Sequence, residues 1–356
     1  MRRSLLNSLA LSCVLLTLTA RPCFAQGQNQ PAARWEINFN VGYGTATEPK
    51  TGTTSLPPLG DKFIGSGSGR FVPSWLFGDG VTIVNANNKV NFLISEIIGL
   101  DEILTSPSAS VGRGISFGGR VTRVLSNRWA LEGTLDVIAS SISFGTQARS
   151  ETQHTTTSFT NAFTQLLSQQ SESRSVSSSF AVQESGAQIS AGADVRFLLR
   201  QKGAFRMFVR AGGGMAAQTG APLMVTVTGD YQFVRLGVPF HETDTATIRY
   251  HVANSAFFRA GGGATFALGR RYGLRGDMVV MVEPNNLRVT VETTPVGVAG
   301  LPTGVAVVPG LTNSIRFSTV AGTPSSLSTT LPEFETYAGG GLRLNVMFTG
   351  GLFFRF

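Results

Sequence analysis

The sequence predicts an all-β fold, an antiparallel up-and-down transmembrane β-barrel of eight strands, with long outer loops and a short helix in the first of them. Three observations predict it. Apolar and polar residues alternate with a period of two through eight segments. The connections between those segments are short and long in turn. Mean hydropathy is +0.12 with only 14 % charged residues, yet beyond the first 25 residues no apolar run approaches the ~20 residues of a transmembrane helix.

Residues 1–25 read as a secretory signal peptide, with a basic start at Arg2 and Arg3, an apolar run over 9–18 and a small-residue exit at Cys23-Phe24-Ala25. Residues 26–356 then form one barrel domain. Both cysteines, Cys13 and Cys23, fall in the removed segment, so disulfides and thiolate metal sites are excluded from the mature chain. The segment also carries three arginines and no acid, which lowers the formal charge from +8 to +5. The remaining arginines are scattered singly among apolar residues, unlike the clustered charge of a nucleic-acid binder.

The first strand is Trp35-Glu-Ile-Asn-Phe-Asn-Val-Gly-Tyr43, where Trp35, Ile37, Phe39, Val41 and Tyr43 oppose Glu36, Asn38 and Asn40. The same rhythm returns over 111–125, 128–144, 186–200, 204–217, 255–269, 272–284 and 336–356. Turns at 126–127, 201–203 and 269–272 are tight, whereas 45–110, 145–185, 218–254 and 285–335 are long and polar. Strict alternation of short and long connections is the pattern of a transmembrane barrel.

Three glycine triplets, at 212–214, 261–263 and 339–341, punctuate these segments. A phosphate loop would require a following Gly-Lys-Ser/Thr and a helix N-terminus, and neither follows. The triplets are therefore expected in the barrel wall, leaving room for neighbouring arginines.

By parity the lumen should hold Arg120, Glu132, Asp136, Asp194, Arg196, Arg206, Arg210, Arg259, Arg275, Asp277, Glu283, Arg343 and Arg355. Two readings follow: an arginine-lined passage that prefers anions, or a packed interior of arginine–carboxylate bridges. Geometry favours the second, because eight strands enclose a space that side chains fill.

The outer connections carry less chemistry. His154, His241 and His251 all fall there, and the His241-Glu242-Thr243-Asp244 run does not match a helical metal-ligand spacing. No serine is marked out as a nucleophile and no cofactor fingerprint occurs, so no catalytic, cofactor or metal residue is assigned. In the first loop, Gly65–Ser–Gly–Ser–Gly69 reads as a linker and Val81-Thr-Ile-Val84 as a short strand. Val90, Leu93, Ile97, Leu100 and Leu104 recur at helical spacing behind Asn87-Asn88, predicting a helix over 87–105. It would lie on a lipopolysaccharide surface, cover the barrel mouth or pack on its own loop. The Ser/Thr/Gln-rich second loop, 146–185, is expected to stay flexible. Segments 224–233, 247–252 and 287–292 alternate again, either as strand extensions and outer hairpins or as inserted strands that would raise the count to ten or twelve.

The chain ends Thr349-Gly-Gly-Leu-Phe-Phe-Arg-Phe356. Thr349, Gly351, Phe354 and Phe356 fit the terminal assembly signal of outer-membrane proteins. With the signal peptide and eight strands, the chain resembles the small outer-membrane β-barrels of the OmpA, OmpX and OmpW type. That resemblance implies insertion by the barrel-assembly machinery, contact with outer-membrane lipid and lipopolysaccharide, and a monomer. It implies a structural or surface-interaction role (adhesion, envelope integrity or ligand docking), with a small diffusion channel as the alternative and an enzyme third.

Overall fold

The computed structural model describes residues 34–47, 51–61, 70–139, 142–169, 171–184, 186–202, 204–297, 305–309, 314–318 and 325–356. The expected signal peptide and the Gly65–Gly69 stretch lie outside them. Eight strands close an antiparallel barrel: β1 (Arg34–Thr47), β4 (Gly114–Val124), β5 (Trp129–Ala139), β8 (Ala187–Lys202), β9 (Phe205–Thr219), β12 (Ser255–Ala267), β13 (Tyr272–Pro284) and β18 (Leu342–Arg355). The ring closes between the first and last strands, where Trp35 and Phe356 exchange two backbone hydrogen bonds of 3.1 Å. This is the fold class expected, with eight strands.

Every barrel strand has a continuation beyond its upper end. Six of these pair in one sheet: β2 (Gly52–Thr54), β17 (Leu331–Gly339), β14 (Leu287–Gly297), β11 (Val238–Val252), β10 (Leu223–Arg235) and β7 (Ser173–Gln183). The other two, β3 (Ala109–Val111) and β6 (Ile142–Phe144), pair with each other, and β15 (Val305–Pro309) pairs with β16 (Ser314–Ser318). The six-stranded order β2-β17-β14-β11-β10-β7 repeats that of the barrel strands to which they are joined, β1-β18-β13-β12-β9-β8. The alternating segments 224–233, 247–252 and 287–292 are thus strand extensions and not extra barrel strands.

The two tiers have opposite polarity. In the lower barrel each strand turns an apolar side chain outward, among them Phe39, Phe117, Leu135, Val195, Val209, Phe266, Met278 and Phe348, between 42 and 64 % exposed. In the upper tier the apolar residues point in: Leu223, Val225, Val227, Tyr231 and Phe233 on β10, and Ala246, Ile248 and Tyr250 on β11, are all fully buried. A period-2 strand can exchange its faces only by breaking its phase. The break is visible between β9 and β10, where Gly220 adopts φ +92°, a conformation glycine enters without a Cβ penalty.

Among the described residues, three helices fill the upper tier. The first loop holds the expected helix, but it runs earlier, as α1 (Asp79–Val90), followed by the single turn α2 (Asp101–Leu104). Asn87 and Asn88 lie inside its last turn instead of capping a helix that starts there, and 81–84 is helix, not strand. Asn88 Nδ2 donates to the carbonyls of Ser95 (3.1 Å) and Ala162 (3.3 Å), tying the segment after α1 to the next long helix.

That next helix corrects the expectation of a flexible second loop. α3 (Thr146–Ser168) buries Ala148, Thr152, Thr155, Phe159, Ala162, Phe163 and Leu166 on one face, and β7 follows it. Two of its buried threonines bond back along the helix, Thr152 Oγ1 to the Ala148 carbonyl at 2.8 Å and Thr156 Oγ1 to the Gln153 carbonyl at 2.9 Å, which makes them compatible with burial. Trp75 is the centre of this core, with ring centroids of Phe163, Tyr231 and Phe159 at 3.9, 4.7 and 5.5 Å.

The 336–356 segment is likewise divided. Its first part is β17 in the upper sheet, and Gly341, at φ +75°, turns the chain into β18. The third glycine triplet is therefore the corner between tiers, while 212–214 and 261–263 are barrel wall. At Gly212 a Cβ would collide with the Ala193 carbonyl and the Asp194 carboxylate, so a larger residue would displace an acid of the interior.

Candidate functional site

Inward parity on eight strands brings the predicted lumen residues together. Arg120, Glu132, Asp136, Asp194, Arg196, Arg210, Arg259, Arg275, Asp277, Glu283 and Arg343 are all buried; Arg206 is half-buried near the lower end of β9, and Arg355 near that of β18. Glu132 is the hub. It accepts from Arg210 Nη1 at 2.7 Å and from Arg275 Nη1 and Nη2 at 2.6 and 2.9 Å, and Arg196 stands at 3.7 Å.

The other acids are each bridged. Asp277 takes Arg275 Nε at 2.9 Å and an Arg120 bond. Asp194 takes Arg259 Nε at 2.8 Å and Arg210 at 3.3 Å. Asp136 faces Arg259 at 3.8 Å and accepts from Asn40 Nδ2 at 3.3 Å. Glu283 takes Arg343 at 2.7 Å and Ser255 Oγ at 3.0 Å. Aromatic faces add to the packing, with the Arg275 and Arg196 guanidinium groups 4.8 and 5.1 Å from the Phe208 ring centre.

A further member, beyond those expected from the sequence, is Glu36 on β1, which joins Arg196 (2.8 Å) to Arg355 (2.7 Å). Its position opposite Trp35 and Ile37 in the first alternation was the signal for it. Near the tier junction Ala216, Phe257 and Met281 form a small apolar cluster, and the cavity beside it, lined by Gly112, Arg259 and Asn345 among others, measures only about 10 Å³. That is at the limit of one water molecule.

The terminal residues divide by face. Thr349 points inward and accepts from Arg120 Nη2 at 3.0 Å, Gly351 lies where a Cβ would strike the Phe39 carbonyl, and Phe354 and Phe356 are exposed on the apolar exterior.

The upper tier contains a second set of acids with a different character. His241 and Asp230 face outward, 2.8 Å apart, while Glu242 and Asp244 on the same strand point into the apolar core. The histidine run therefore splits between the two faces of β11. Inside, Ser325 Oγ donates to Glu242 and stands 3.3 Å from the Tyr231 hydroxyl. Burial pushes the Asp244 carboxyl well above its ordinary value, and the neighbouring Glu242 charge pushes it further. Burial raises Glu242 also. His154, on α3, and His251, 3.2 Å from Glu333, are separate from this cluster. Among the described residues no group of three or more His, Cys, Asp or Glu side chains is placed to hold a metal ion.

No family model matches the chain, and no curated protein sequence matches it. Among solved structures it is similar to the P. putida toluene transporter TodX, at 8 % identity, with 91 % of this chain and 90 % of that one covered and a TM-score of 0.17. A Pseudomonas aeruginosa FadL homologue aligns at 7 % identity over 90 % of each chain with a TM-score of 0.14. Likenesses this weak carry no argument about function.

Proposed function

We propose that the chain is an outer-membrane β-barrel whose lower tier is a sealed anchor and whose upper tier is a folded surface platform with a structural or interaction role. The observation that carries this reading is the inversion of polarity between the tiers. Outward apolar side chains on all eight lower strands suit a lipid solvent, where a closed barrel also satisfies every backbone group. Inward apolar side chains and outward threonines on the strands directly above suit water. The junction between tiers then marks the membrane surface. Insertion by the barrel-assembly machinery, contact with lipopolysaccharide at that level and a monomeric state belong to the same proposal.

The bridged lumen favours this role over that of a diffusion channel. Six carboxylates bridged by arginines across the barrel leave no room for a continuous water path. Single-channel recording of the purified protein in planar bilayers should show little or no steady conductance at neutral pH, and rare openings should prefer anions. A stable, large conductance would overturn the anchor reading in favour of a channel.

A further inference from the structure

The acids of the two tiers are treated differently. In the lower barrel every carboxylate lies within 4 Å of an arginine, the most distant being Asp136 at 3.8 Å. In the upper tier, Glu242 and Asp244 are 4 and 1 % exposed, and among the described residues none of the groups acting on them is positively charged. Two carboxylates buried without a counter-charge are costly, and the pair must be neutralised.

The neighbouring chemistry indicates by what. β11 places Glu242 and Asp244 two residues apart on one face. Tyr231 stands opposite Glu242 in the β10–β11 ladder. The segment before β17 brings in Ser325, whose hydroxyl bonds one Glu242 oxygen, with Ser328 beside Asp244. After these contacts Glu242 Oε1 and both Asp244 carboxylate oxygens are buried and have no hydrogen-bond partner among the described residues. The donors these four side chains offer are all oxygens, with two acids to balance a double positive charge, and that donor set suits a hard cation.

We propose that Glu242, Asp244, Tyr231 and Ser325 bind a divalent cation of the Ca²⁺ class inside the upper tier. The ion joins β10, β11 and the chain leading into β17, so its binding energy stabilises that tier. The proposal does not depend on the membrane reading.

Tyr231 and Trp75, with ring centres 4.7 Å apart, provide an optical antenna for the test. The full chain, folded in detergent micelles and stripped with a chelator, is titrated with TbCl₃ while exciting the aromatic residues. Sensitised emission should appear and be displaced by CaCl₂, with an affinity in or below the ~10⁻⁴–10⁻³ M range of extracellular calcium modules. Asp244→Asn and Glu242→Gln should each weaken binding by about tenfold or more, whereas Asp230→Asn on the outer face should leave it unchanged. For the wild-type protein, saturating CaCl₂ should raise the thermal midpoint of the upper tier by roughly 3–8 °C, which decides the matter even if the variants fail to fold. The proposal is overturned if CaCl₂ leaves that midpoint unmoved, or if both variants bind Tb³⁺ as the wild type does. Variants more stable than the calcium-treated wild type would show instead that a shared proton neutralises the pair.

Discussion

Glu132 meets three guanidinium groups, so its loss strands more charge than any other single change in the lower barrel. Glu132→Gln should cost about 3–5 kcal/mol, the range for breaking a buried ionic network from one side. Urea unfolding of the micelle-bound protein followed by the gel shift of folded barrels would measure it. At the surface of the upper tier the effect of a carboxyl is milder and depends on pH. Thr290 Oγ1 donates to Glu333 at 2.6 Å and His251 lies beside it, with Arg249 adding a weaker pull; together they hold the Glu333 carboxyl below its ordinary value. A lowered folded-state value stabilises above the unfolded carboxyl's pKa, and that contribution is lost as pH falls through the folded one. Thr290→Val should therefore return the Glu333 titration toward 4.5, as read by carboxyl NMR, and slightly weaken the upper tier near neutral pH. Parity in the sequence located the charged residues, but it carried no information on which would find partners. Glu36 and Glu242 both lie on clearly alternating strands; one ends beside two arginines and the other beside a serine and a tyrosine.

The strands separate by face more cleanly than the loops do by composition. Met278 on β13 and Thr226 on β10 both point outward, in different tiers. On the membrane reading, Met278→Arg should cost roughly 2–4 kcal/mol, while Thr226→Arg should change stability by no more than ~0.5 kcal/mol. Equal costs at the two positions would remove the basis for placing one in lipid and the other in water. The barrel strands were legible because the alternation, unbroken over Trp35–Tyr43 and interrupted elsewhere chiefly by glycine, matches the two faces of a strand. α3 was not, because threonine occupies a third of its buried stripe and gives no hydropathy signal. The Ala148, Thr152, Thr155, Phe159, Ala162 and Leu166 spacing is helical once threonine is counted as able to be buried. The helix expected over 87–105 is divided: the apolar period over 90–104 runs from the end of α1 through a non-helical stretch, where Ser95 N and Ile98 N donate to Gln165 and Ser158 of α3, into the single turn α2.

At the scale of the whole molecule, the chain ends where the barrel closes. The Phe356 backbone holds both hydrogen bonds to Trp35, and its ring stands on the apolar exterior at 67 % exposure. On the membrane reading, deleting Phe356 should lower the yield of folded barrel in outer-membrane fractions; an unchanged yield would count against the proposed terminal assembly signal. The joins between the tiers have a different consequence. Eight polypeptide crossings at the junction, with only two residues between β11 and β12 and between β13 and β14, leave the upper tier no swivel. A force applied to its tip by a tethered ligand is delivered to the barrel staves in parallel, as through the wall of a rigid mast. A fluorophore fixed on Cys-substituted Thr228 should then show anisotropy decaying with the tumbling time of the entire micelle, without the faster component of a hinged head.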